Sequence, residues 1–144
     1  MSPEIEEKLH KDYPKIFKID NENLRRKDEA DRYLALDCDD GWYDLINKLC
    51  RNIQGYIDHH GNNLSEDEME SFQVVATQIK EKFGSLRFYY SGGDEYIEGM
   101  IRMAEAMSSS ICESCGSKSE VQTNGWIKNL CHPCAEKRKE KRNY

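Results

Sequence analysis

No stretch of this sequence approaches the roughly 20 consecutive apolar residues of a membrane-spanning helix, so no helical membrane anchor is expected. The opening segment, Met1–Glu7, is acidic and lacks the apolar core of a secretory signal, which points to a cytoplasmic protein. Neither a phosphate-cradling G-x-x-x-x-G-K-S/T loop nor a dinucleotide fingerprint is present, and no nucleophile–base–orienter set stands out. Catalysis is therefore not expected. Internal repeats are absent as well, and residues 20–31 are so charged that they read as a surface excursion.

The 144 residues are 38% hydrophobic and 33% charged, the balance of a globular, strongly solvated chain. The formal net charge of −6 is unevenly spread. Residues 1–110 hold 14 Lys and Arg against 23 Asp and Glu; residues 111–144 hold 7 against 4, with the excess concentrated in Lys137–Arg142. An acidic body repels nucleic acid as a whole, so an anionic partner must meet a local basic patch.

Four of the six cysteines form two C-x-x-C pairs, Cys112/Cys115 and Cys131/Cys134, separated by fifteen residues. This spacing turns two sulfurs of each pair toward one ion and predicts a four-thiolate structural Zn²⁺ site. A filled set of four leaves no open position for a catalytic water. His132 lies between two ligands and is expected to point outward, while Lys118, Lys128 or Lys137 can offset the thiolate charge. Cys38 and Cys50 stand alone and read as small buried hydrophobes rather than as a disulfide, in keeping with a reducing compartment.

Hydrophobic periodicity sets out the helices. Ser2-Pro3-Glu4 is a helix start, Ile5, Leu9 and Tyr13 follow at helical spacing, and Pro14 limits the run. Trp42, Leu45, Ile46, Leu49, Ile53, Tyr56 and Ile57 make a core-facing stripe from about 41 to 60. Asp39 and Asp40 read as its cap rather than as cation ligands with Asp37. Asp58-His59-His60 reads as a solvated helix end rather than a second metal site. Residues 62–70 read as a polar loop. A third helix follows Asp94-Glu95, with Tyr96, Ile97, Met100, Ile101, Ala104 and Met107 as its stripe. In the cysteine-containing segment, Asn124-Gly125 predicts a hairpin turn, and a helix is expected from Pro133 through the basic tail.

Between these helices the period changes to two. Residues 72–79 favour a strand, and 80–90 read as a hairpin turning at Gly84-Ser85. That register sets Phe83 opposite Leu86, Lys82 opposite Arg87 and Lys80 opposite Tyr89. One face then carries Ile79, Phe83, Leu86, Phe88 and Tyr90, with Glu81 discordant among them. The other face gathers Lys80, Lys82, Arg87 and Tyr89. Such a face can be merely a solvated surface that keeps an edge soluble. Alternatively it is an anion-binding patch, because like charges across a strand pair are unfavourable unless something negative offsets them. The expected architecture is an α+β domain, residues 1–110, with helices on a small antiparallel sheet. A treble-clef or ribbon-like zinc module, residues 111–144, docks onto it.

Tyr13–Phe17, Asp40–Ile46, Val74-Val75, the string Lys80-Glu-Lys-Phe-Gly-Ser-Leu-Arg-Phe-Tyr-Tyr90, and Cys112-Glu-Ser-Cys-Gly116 with Leu130-Cys131 together resemble a family of small, uncharacterised phage- and prophage-encoded proteins. The resemblance spans most of the chain and is weakest over residues 20–31. It implies a phage context, bound zinc and, at the position of Cys134, either Cys or His. It implies no reaction. Joined to the cationic face, it leads to the expectation of a non-enzymatic phage counter-defence protein in the host cytoplasm, holding a nucleotide-like anion. Nucleic-acid binding through the basic tail and inhibition of a host protein are the alternatives.

Overall fold

The computed structural model describes residues 1–18 and 34–142, so the charged segment at 20–31 lies outside the described residues. Helix α1, Pro3–Asp12, begins with proline at its first position and acids in its first turn, as its sequence dictates. The Ser2 hydroxyl does not cap it; instead the Ser2 backbone N–H donates to Asp40 Oδ1 at 2.7 Å. A 3-10 turn, Asp40–Trp42, leads into α2, Tyr43–His60, whose Leu45, Ile46, Leu49, Cys50, Ile53 and Ile57 are buried along one stripe. Cys38 and Cys50 are both buried and unbridged, and burial pushes each thiol up to about 12. They act as the small apolar fillers expected of them.

The stretch expected to be a polar loop contains a second short helix, α3, Glu66–Phe72. Ser65 Oγ accepts the Glu68 N–H and donates to Glu68 Oε1, closing a capping-box-like cycle over Ser65-Glu-Asp-Glu68. The cap, not amphipathicity, starts this helix, since none of its residues is fully buried.

The sheet is built on strands β2, Val75–Lys82, and β3, Ser85–Ser91, which pair antiparallel. Strand β1, Leu36–Asp37, adds a short parallel edge on the other side of β2, giving the order β1-β2-β3. Two residues carry too little period to be read in sequence. The turn falls at Phe83-Gly84, with φ of 52° and 85°, one residue earlier than Gly84-Ser85. Lys82 therefore pairs with Ser85, Glu81 with Leu86, Lys80 with Arg87 and Ile79 with Phe88. Moving a two-residue turn by one position shifts each partner by two, so the side chains that stay in the strands keep their faces. Phe83, expected on the core face, instead falls in the turn itself and is exposed. A register irregularity at Thr77 then lets both Ala76 and Ile79 point into the core.

Helix α4, Glu95–Ser108, starts at Asp94, whose Oδ1 accepts the Ile97 N–H. Ile97, Ile101 and Ala104 are buried, whereas Tyr96 and Met107 of the expected stripe are exposed. Tyr96 stacks instead on Tyr56, with ring centroids 4.6 Å apart. Along the outer edge of β3, Ser108 Oγ accepts the Leu86 N–H at 2.8 Å and Glu105 Oε2 accepts the Phe88 N–H at 2.9 Å.

Past α4, strands β4, Val121–Gln122, and β5, Asn129–Leu130, pair antiparallel, followed by α5, His132–Arg142. The loop between them is longer than a two-residue Asn-Gly turn: the Thr123 N–H donates to Lys128 O and closes residues 123–128. Buried residues fall into two clusters, a large one reaching from Leu9 to Ala104 and a small one of Cys112, Leu130, Cys131 and Ala135.

Candidate metal centre and hairpin face

The first cysteine pair lies on a tight knuckle. The Cys112 N–H donates to Ser117 O, the Gly116 N–H donates to Cys112 O, and Gly116 takes a φ of 86°. The second pair opens α5, where the Ala135 N–H donates to Cys131 O. β-pairing of Val121 with Leu130 brings the two pairs together, and all four sulfurs lie within 4.8 Å of one another. A tetrahedral ion with ~2.3 Å metal–sulfur bonds needs sulfur–sulfur edges of about 3.8 Å; Cys115 and Cys131 stand 3.7 Å apart. Among the described residues, this is the one group of metal-ligating side chains close enough to share an ion.

Local hydrogen bonds prepare two of the thiols for ligation. The Ser117 hydroxyl and backbone pull Cys115 down to about 6, and the Cys134 backbone N–H lowers Cys131. Burial pushes Cys134 the other way, so a metal binding there must displace its proton. His132 is exposed and 3.3 Å from Glu120 Oε2, outside the sulfur set, as its position between two ligands predicts.

What fastens the knuckle to the rest of the molecule is Asp39-Asp40-Gly41-Trp42. The Gly41 N–H donates to Glu113 O at 2.8 Å, and Trp42 Nε1–H donates to Ile111 O at 3.1 Å. Glu113, fully buried, accepts the Asp39 N–H on Oε2 and the Lys128 ammonium on Oε1 at 2.9 Å. Burial raises the Glu113 carboxyl even though Lys128 opposes it. Burial would lower Lys128, but Glu113 outweighs it and raises the ammonium. Lys128 is thus committed to Glu113 and, at 3.5 Å, to Asp39 rather than to the thiolates. Asp39 makes no side-chain cap, contrary to the capping role read from its place before Gly-Trp. The segment does start the helix, as its sequence predicts, but its clamp on Glu113 could not be read there because that partner lies about seventy residues away.

The hairpin meets the same module at its tip. Asn129 Nδ2 donates to Gly84 O at 2.9 Å, and Glu81 Oε1 accepts the Gly84 N–H at 3.1 Å. That bond explains Glu81, the discordant carboxylate on the core-facing side: it caps the turn.

Register places Lys80, Lys82, Arg87 and Tyr89 together on the sheet face turned away from the core. Lys80, not Lys82, stands directly opposite Arg87, and β1 sets Asp37 beside Lys80. Among the described residues, none of Lys80, Lys82 and Arg87 forms a salt bridge, while seven bridges form elsewhere. Lys80 and Lys82 border a cleft of about 180 Å³ whose far wall is Gly125–Ile127; Arg87 and Tyr89 lie outside its lining. A larger groove of 660 Å³ between α2 and α4 is mainly apolar, with Lys48 and Glu95 its charged lining residues. His59 and His60 are exposed and join no metal cluster among the described residues. No helix of the described residues is long and apolar enough to cross a membrane.

Comparison with protein-family models, with curated proteins and with solved structures returns no match. Function must therefore be read from the chemistry of the two sites.

Proposed function

We propose that this is a non-enzymatic binding protein, stapled by one structural zinc ion, that holds an anionic ligand on the open face of its hairpin. The carrying observation is the placement of Lys80, Lys82 and Arg87 on one face of a strongly acidic body, with no salt bridge to any of them among the described residues. Opposed like charges such as Lys80 and Arg87 destabilise a strand pair unless anions offset them, and Asp37, beside Lys80 on β1, brings one negative charge against the three cations of this face. Arg87 can fork onto a phosphate while the lysines act as point charges. Four thiolates in a closed tetrahedral set favour zinc and leave it no catalytic position. Holding a ligand requires affinity rather than turnover. The resemblance to phage-encoded proteins supports a counter-defence role in the host cytoplasm, such as sequestering a nucleotide-derived signal.

Titration of the zinc-loaded protein with tripolyphosphate, a base-free polyanion, tests the reading. Saturable binding is expected, weakened about tenfold or more in Lys80→Ala/Arg87→Ala and falling with salt. Binding that is absent, or indifferent to both substitutions, overturns it. Reversal of Lys139, Lys141 and Arg142 to Glu on α5 is expected to leave affinity nearly unchanged; loss of binding there would move the anion site to the basic helix.

A further inference from the structure

Two of the most exposed aromatic side chains of the protein sit at one small cleft. Phe83 is 69% exposed at the hairpin tip, and Trp126 is 66% exposed on the loop between β4 and β5. Both line the 180 Å³ cleft that Lys80, Glu81 and Lys82 border, with Glu81 Oε1 turned to the Gly84 N–H. They come from segments more than forty residues apart, joined by the Asn129–Gly84 hydrogen bond.

Neither conformation nor burial accounts for Phe83. Its φ of 52° lies in the left-handed region, where a bulky L residue is disfavoured and where hairpin turns of this kind take Asn, Asp or Gly. Its ring gains little from the hydrophobic effect, because most of it faces water. Trp126 is in the same position, with a large apolar surface left outside either core cluster. A cleft of this size is too small for a drug-sized ligand but admits one planar ring. Aromatic faces beside ammonium groups are the elements by which proteins hold a nucleobase and its phosphate, every base having a π-face to stack.

We infer that the Phe83/Trp126 cleft seats a nucleobase, with the phosphate of the same nucleotide on Lys80 and Lys82. This rests on the anion-binding reading of the hairpin face and deepens it by assigning the seat of the base, so that base and phosphate are held at one cleft. The source is a free nucleotide or a single-stranded nucleic acid. The four-cysteine module supplies one wall of the cleft, which ties metal binding to ligand binding.

The test compares ATP, tripolyphosphate and a ten-residue oligodeoxyadenylate on the zinc-loaded protein by calorimetry. ATP is expected to bind about tenfold or more tightly than tripolyphosphate, the margin one stacked base provides. Trp126→Ala and Phe83→Ala are each expected to erase that margin and leave tripolyphosphate affinity intact. Zinc content and far-UV dichroism serve as controls for folding. Because Trp42 is fully buried and Trp126 exposed, base binding should also quench the exposed component of tryptophan emission. Tighter binding of the oligomer that Trp126→Ala weakens assigns a strand, and tighter binding of ATP assigns a free nucleotide; either supports the cleft, whereas oligomer binding indifferent to Trp126→Ala overturns it. Equal affinity for ATP and tripolyphosphate overturns the cleft and leaves the cationic face standing. Failure of both to bind overturns both.

Discussion

Gly41 has no room for even a methyl group. A Cβ built there would lie 2.2 Å from Cys112 O and 2.4 Å from Glu113 O, and backbone atoms on a metal-binding knuckle cannot step aside. Gly41→Ala is expected to destabilise the protein by about 1–3 kcal/mol, read as a fall in thermal midpoint. At Gly55, in the middle of α2, a Cβ would meet nothing within 4 Å, and Gly55→Ala is expected to stabilise by about 0.5–1 kcal/mol. A similar response from both variants would mean that the Gly41 approach is not close. The contrast also shows which residues a sequence discloses. The cysteines could be read directly, since chelation needs a fixed local spacing and C-x-x-C supplies it. Gly41 and Glu113 could not, because their meaning arises only when the chain folds back on itself.

At the scale of the element, the hairpin gave up its faces but not its register. Period-two alternation specifies which side of the sheet a residue takes, and any odd-sum pairing preserves it. The turn itself was misplaced because Gly84-Ser85 satisfies a glycine-first turn, whereas the structure accepts the strain of a left-handed Phe83 beside Gly84. Replacing it should expose that strain: Phe83→Asn converts the turn to Asn-Gly and is expected to stabilise by about 1 kcal/mol. If the aromatic ring is there for a ligand, the same variant loses the advantage of ATP over tripolyphosphate. A midpoint that falls instead would show that Phe83 contributes to packing. The helix α3 was hidden for a different reason. Its signal was the Ser65–Glu68 cap, and a run of acids with few apolar residues masked it.

For the molecule as a whole, the separation into two buried clusters predicts how it comes apart. Only the smaller cluster depends on the paired cysteines, so chelation of the metal is expected to loosen residues 111–142 while the α+β body persists. Hydrogen exchange should show early loss of protection in that segment, with the amides of α2 and β2 still protected. Trp42 adds an optical signal, because release of the knuckle frees its Nε1–H from Ile111 O and admits water. Simultaneous loss of protection throughout would instead mean that the ion holds the whole fold. The α+β class and the metal-binding end could be read early, since each follows from local pattern. The clamp between them could not, since it depends on long-range contacts alone.

The seal along β3 has an implication for behaviour in concentrated solution. A foreign strand seeking to extend the sheet on that flank would need the amides of Leu86 and Phe88, and both are occupied by side chains of α4. Fibril-like growth from this side is blocked for as long as that helix stays docked.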